Sequence, residues 1–237
     1  MTALADALEC WVLVPARGGS KSILKKNIVP LGGRPMMTWG IAAAKSAGCC
    51  TRIVCSTDDD EIAPVALNCG IEVDRRPVVL ATDSAAVADV AREFLRRQVV
   101  LPEILILVQP TSPFLQPEHL SRLVERMIAR PECNSGQTIT EVGHNCHAWN
   151  QRIYDEADEV HFKFAAERKT AYNKQSKPKL FTFGNLVAVR PRVLMEGLDF
   201  FAEPSVGVEI EWPYNLDVDG PTDLLIAELL LQAGIVG

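Results

Sequence analysis

The sequence predicts an α/β protein of Rossmann-like build, three layers deep, with a mixed but mostly parallel sheet and an arm inserted late in the chain. Three observations carry this. Short apolar strand-like runs alternate with helical patterns from Trp11 to Val142. The run Ile104 to Val108 is apolar at every position, as in a strand buried on both faces. Between His144 and Lys179 the periodicity fades, and Trp149, Tyr154, Phe162, Phe164 and Tyr172 are scattered among charges, which reads as an insertion.

The elements follow in order. Trp11 to Pro15 is an apolar run ending in a glycine-containing turn, a buried strand delivering a loop. A helix over Met36 to Ala47, a strand over Arg52 to Ser56 and a helix around Asp59 to Asn68 come next. A strand near Ile71 to Val73, a helix from about Ser84 to Gln98 and the strand Ile104 to Val108 extend the alternation. A helix near Pro117 to Ala129 and a strand over Gln137 to Val142 precede the arm; strands at Phe181 to Val189 and Val206 to Glu211 follow it, and a helix over Pro221 to Gln232 comes last. Right-handed crossovers then place ligands at the carboxyl ends of the strands. Residues 1–237 read as a single domain, with 144–179 as its insertion.

Composition narrows the function classes. Hydrophobic residues make up 48% and charged residues 23% of 237, as in ordinary globular proteins. A net charge of -6 disfavours nucleic-acid or membrane-surface partners, which recruit basic faces. The seven cysteines are odd in number and lack paired metal-ligand spacing, so a reducing cytoplasm is expected. Met1 to Cys10 carries Asp6 and Glu9 without a basic start, unlike a secretory signal, and no run reaches the ~20 apolar residues of a membrane span.

The segment after the first strand contains Arg17, Gly18, Gly19, Ser20, Lys21, Ser22, Lys25, Lys26 and Asn27. Glycines admit phosphate oxygens close to backbone N–H groups, and the cations neutralise them. A solvated basic turn is the plainer reading of the same composition. Neither the dinucleotide fingerprint nor the Walker loop is present.

Ala16-Arg-Gly-Gly-Ser-Lys-Ser-Ile-Leu-Lys-Lys-Asn27 resembles the N-terminal signature of the CMP-sialic acid synthetases, the acylneuraminate cytidylyltransferase family. Further motifs arrive in the family's order: Ser56-Thr-Asp58, Arg76-Pro-Val-Val-Leu-Ala-Thr-Asp83, Gln109-Pro-Thr-Ser-Pro113 and Asp217-Val-Asp219. The resemblance implies an enzyme that joins CTP to an acidic keto sugar, giving a CMP-sugar and pyrophosphate. It implies catalytic roles for Arg17, Lys21, Lys26 and Asp219, and nucleotide contacts from Ala16, Arg17, Gly18, Ser20, Asn27, Arg76 and Asp83. Sugar contacts fall to Gln109, Thr111, Lys174 and Gln175. Asp217 and Asp219 point to one face of an extended segment and are the expected magnesium ligands. For Asp219 the competing reading is the N-cap of the last helix. His144 and His147 are a weak zinc signal without further ligands.

The departures from the family pattern cluster on the sugar side, apart from one in the first loop. Leu24 stands where proline is usual, Phe114-Leu115 where leucine and arginine are usual, Lys174 where arginine is usual, and Gly184-Asn185 reverses an Asn-Gly pair. A lysine cannot offer a carboxylate the bidentate fork of an arginine. Other readings are a transferase using another nucleotide with a sugar 1-phosphate, and a nucleotide-binding homologue without turnover. Relatives dimerise through the arm, so the expectation is a homodimer in which it covers the partner's sugar pocket.

Overall fold

The computed structural model describes residues 8–170 and 176–236. Its centre is a sheet in the order β11-β7-β10-β6-β1-β4-β5. The strands are β1 (Cys10–Pro15), β4 (Arg52–Thr57), β5 (Glu72–Arg75), β6 (Ile104–Val108), β7 (Ser135–Glu141), β10 (Phe181–Val189) and β11 (Ser205–Glu209). Only β10 runs against the rest, pairing antiparallel with both β6 and β7. The sheet is therefore mixed and mostly parallel, as the alternation implies.

Period-two geometry divides the strand side chains between two layers. Cys10, Val12 and Val14 of β1, with Ile104, Ile106 and Val108 of β6, face α1 (Met37–Ser46), α2 (Ile62–Asn68) and α4 (Pro117–Ala129). Trp11, Leu13, Leu105 and Leu107 face the other way, toward α3 (Val87–Arg96) and α6 (Pro191–Met195). The short ribbon of β2 (Pro30–Leu31) and β3 (Arg34–Pro35) carries Leu31 into a third cluster with Met36, Phe114, Val218 and the closing helix α7 (Pro221–Gln232).

Two helices begin later than the sequence suggests. The Asp59 carboxylate accepts N–H bonds from Glu61 and Ile62, so the loop runs up to α2 instead of joining it. Residues 78–80 form their own 3-10 turn, and α3 starts only at Val87.

The insertion is more ordered than its periodicity suggests. Its described residues include 3-10 turns at 144–146 and 148–150, a hairpin of β8 (Arg152–Tyr154) and β9 (Val160–Phe162), and α5 (Ala165–Thr170). These strands are three residues long, too short for alternation to register. The arm is pinned at its root by the buried His147, whose Nε2 lies 3.0 Å from the Pro178 carbonyl and whose Nδ1 accepts from the Trp149 N–H. His147 thus serves structure and not zinc. Among the described residues the one group of three or more potential ligands is Asp155, Glu159 and His161, on the hairpin.

A buried polar network joins β7, β10 and α4. Thr138 Oγ1 donates to Asn185 Oδ1 at 3.1 Å, and the Asn185 side-chain Nδ2 donates to Tyr214 O at 2.7 Å and lies 3.2 Å from His119 Nδ1. Burial, then the nearby Arg122, hold the His119 imidazole down to about 4 from an ordinary 6.5. The folded pKa is depressed, so this contribution to stability is full above about 6.5 and is lost as pH falls toward 4. Urea midpoints measured from pH 7.5 to 4.5 should decline on the acid side, and His119→Gln should flatten that decline. An unchanged slope in the variant removes His119 as its cause.

Candidate active site

Strand order reverses at β1, with β4 on one side and β6 on the other, and such a switch point opens a crevice at the carboxyl ends of the strands. A cleft of about 510 Å³ occupies this position. The loop after β1 supplies Arg17, Ser20, Lys21, Lys26 and Asn27 to its wall. The segment after β5 supplies Arg76 and Asp83, and the turn after β6 supplies Gln109 and Thr111. Residues spread over most of a hundred positions are brought together because parallel strands deliver their following loops to one edge.

The cations in the cleft are already partnered. Asp83 accepts from Arg17 Nη1 at 2.7 Å and from Lys21 Nζ at 2.5 Å. Lys21, then Arg17, holds the Asp83 carboxyl below its usual range. Lys25 pairs with Glu61 from the loop before α2, and Lys26 Nζ lies 3.3 Å from Asp219 Oδ1. Arg76 is buried; its Nη2 donates to Ser56 O at 2.6 Å, while its Nε has no partner among the described residues. Desolvation pulls its pKa down, although the Asp58 carboxylate opposes this.

Some expected contacts change role. Ala16 does not line the cleft: it is fully buried, and its N–H extends the sheet by donating to Ser56 O at 3.0 Å. Gly18 does not line it either, because its N–H donates to Asp58 Oδ1 at 3.2 Å. Its glycine character answers a close approach, since a Cβ there would sit 2.2 Å from Asp59 Oδ2. Asn27 faces the cleft but donates its amide to Arg17 O at 2.8 Å, holding the loop in shape. Lys174 and Gln175 lie outside the described residues.

Asp217 and Asp219 stand at the margin, flanking the fully buried Val218, whose N–H donates to Thr111 O at 2.8 Å. Burial raises the Asp217 pKa, as does the neighbouring Asp219, while bonds from the Thr111 and Ser112 hydroxyls pull the other way. Asp219 is not the cap of α7: that position belongs to Gly220, and Asp223 accepts from the N–H groups of both Asp219 and Gly220. The Asp219 carboxylate is therefore left to Lys26. Two carboxylates beside hydroxyls, one of them desolvated, make an all-oxygen donor set suited to a hard cation that keeps water and phosphate ligands.

Two departures have structural reasons. Leu115, where the family usually has arginine, is buried against α1 and α4, where a charge would be desolvated. The reversed Gly184-Asn185 puts the amide into the core network, and a Cβ on Gly184 would meet Thr138 Oγ1 at 2.5 Å. Sequence reasoning missed Leu80 and Thr82 in the cleft wall, although both lie inside the motif between Arg76 and Asp83.

Comparison with known proteins gives a consistent set of likenesses. A family model described as Cytidylyltransferase matches residues 11–181. The CMP-N,N'-diacetyllegionaminic acid synthase of Legionella pneumophila is 30% identical over 231 residues, 95% of this chain and 97% of that one. The pseudaminic acid cytidylyltransferase of Campylobacter jejuni is 30% identical, covering 93% of this chain and 95% of its own. The N-acylneuraminate cytidylyltransferase A of Danio rerio is 42% identical over 113 residues, and there the match spans only 26% of the relative. In fold, a CMP:2-keto-3-deoxy-manno-octonic acid synthetase complexed with CTP superposes with a TM-score of 0.73 at 16% identity, covering 95% of this chain and 99% of that one.

Proposed function

Because this chain belongs to the cytidylyltransferase family, we propose that it joins CTP to an acidic keto sugar of the nonulosonate class, releasing pyrophosphate. The observation that carries this reading is the convergence of Arg17, Lys21, Lys26, Arg76 and Gln109 on one cleft at the switch point. The names of its full-length relatives supply the substrate class. In this reaction the anomeric hydroxyl attacks the α-phosphorus, a new O–P bond forms, and the bond to pyrophosphate breaks.

Arg17, Ser20, Lys21 and Lys26 bind the triphosphate and counter the charge on its oxygens and leaving group. Arg76 holds the cytidine end and has one buried N–H still to satisfy. Gln109 and Thr111, at the end of β6, orient the sugar. Asp217 and Asp219 are the residues to hold magnesium, which when bound supplies Lewis-acid polarisation of phosphate oxygens. Lys174 and Gln175 remain candidates for the sugar acid.

Melting temperatures should rise more with CTP than with GTP, UTP or ATP, and pyrophosphate should be released from CTP with at least one member of a panel of keto sugar acids. Equal response to all four nucleotides, with no turnover of CTP, would sink the assignment. The cytoplasm remains the proposed location, supported by cysteines that are all unpaired; no helix among the described residues is long and apolar enough to cross a membrane.

The homodimer belongs to the same reading. The hairpin exposes Ile153, Tyr154 and Val160, and an apolar surface of this kind is a natural one to cover. Size exclusion coupled to light scattering should return twice the 26.0 kDa chain mass. A monomer mass at micromolar concentration ends the proposal. Given a dimer, mixing Lys26→Ala with Lys174→Ala subunits should restore turnover in hybrids if the arm completes the partner's site.

A further inference from the structure

The contact of greatest consequence in the cleft is a carboxylate lying where an anionic ligand is needed. Asp83 follows the 3-10 turn after β5, whereas Arg17 and Lys21 stand on the loop after β1. One Asp83 oxygen meets the guanidinium and the other meets the ammonium, so a single side chain spans both cations as two phosphate oxygens would. Its side chain is about half exposed and Lys21 is 86% exposed. An exposed pair of this kind contributes little to stability and can be exchanged for another anion. Asp83 has no hydrogen bond to its own loop that would explain its place there among the bonds described.

We propose that Asp83 is a resident counter-anion of the polyphosphate subsite, which an incoming triphosphate must displace from Arg17 and Lys21. The inference rests on the nucleotide reading of the cleft and deepens it, by making Asp83 a determinant of how tightly a polyphosphate is held. A ligand with several phosphate charges outcompetes one carboxylate, because its attraction to the two cations grows with its charge. A monoanion or a nucleoside monophosphate gains much less over the carboxylate it replaces. Asp83 therefore keeps Arg17 and Lys21 oriented while the cleft is empty and lowers the affinity of every phosphate ligand that has to displace it. Its repulsion from a bound polyphosphate also drives the segment carrying it away from the loop.

The test is calorimetric titration of the whole protein with CTP, CMP and inorganic pyrophosphate, for the wild type, Asp83→Asn and Asp83→Glu, at several salt concentrations. Asp83→Asn should bind pyrophosphate roughly fivefold to tenfold more tightly, since a competing charge is removed. It should tighten CTP by a factor at least as large as for CMP, because each ligand that displaces the carboxylate is spared the same cost and the more highly charged one is also spared the larger repulsion. Its affinity should also fall more steeply with salt, because cations no longer paired internally gather solution anions that binding must release. Asp83→Glu, which keeps the charge, should stay near the wild type. Unchanged or weaker binding of pyrophosphate and CTP to Asp83→Asn, with wild-type CTP binding intact, overturns the role of Asp83 alone. Failure of the wild type and of both variants to bind CTP or pyrophosphate overturns the nucleotide reading and this proposal with it.

Discussion

Lys26→Ala is expected to lower pyrophosphate release from CTP by at least about a hundredfold in kcat/KM, the usual cost of deleting one group that meets charge developing in a transition state. The structure makes the substitution informative. Lys26 opens the 3-10 turn 26–28, its side chain is only 16% exposed, and its ammonium faces the cleft 3.3 Å from Asp219 Oδ1. It belongs to none of the three core clusters, so its removal leaves no cavity among them. The pair it forms with Asp219 is long and its partner is exposed, which limits its share of stability. The melting temperature should therefore change little while turnover collapses. Lys26→Arg retains the charge and should recover part of the rate, because position as well as charge matters at a phosphoryl centre. Near-normal turnover in Lys26→Ala would show that the triphosphate lies elsewhere.

Asp217→Asn and Asp219→Asn should each raise the magnesium concentration needed for half-maximal turnover by at least the ~10-fold typical of disturbing a partner in a metal site, with a lower plateau. Their effects on stability should differ from a cap mutation. Asp223 caps α7 through the N–H groups of Asp219 and Gly220, so Asp219→Asn leaves the helix start intact. For Asp217, burial raises the pKa, which means that the fold disfavours its ionised form. An asparagine of the same shape removes that cost and still accepts from the Thr111 and Ser112 hydroxyls. Without magnesium, Asp217→Asn should thus melt at or slightly above the wild-type temperature while losing activity. Magnesium titrations of turnover, run beside metal-free melts, check both parts. An unaltered magnesium requirement accompanied by a lower melting temperature would mark the two aspartates as structural.

Both arguments concern side chains that the sequence singles out by type and by motif, and the extent of that legibility follows from physics. Elements with a strong local period are readable end to end: β6, β10 and α4 fall where the apolar patterns place them, because burial on two faces or on one helical stripe imposes itself on every residue, whereas α7 is marked by its Pro221 start and its long apolar run, with Leu225 and Leu229 exposed. The basic loop after β1 stands out in the sequence because glycine, cation and hydroxyl fall together in a short span, and the structure places Arg17, Ser20, Lys21 and Lys26 on the cleft wall. Elements of two or three residues, such as β2, β3, β8 and β9, contain no complete period, and their pairing is decided by partners across the turn. Nor does the sequence indicate which carboxylate each cation meets. Asp83 lies 62 positions from Lys21 and Asp219 lies 193 from Lys26, and only the folding of successive strand ends onto one edge makes them neighbours. The same holds for Ala16 and Gly18, whose N–H groups suit a phosphate in any extended loop but are claimed here by Ser56 and Asp58 at the end of β4. Local sequence determines which groups are available and in what conformation; tertiary structure decides which are already engaged, since an N–H or a charge answers to whatever the rest of the chain brings within about 3 Å.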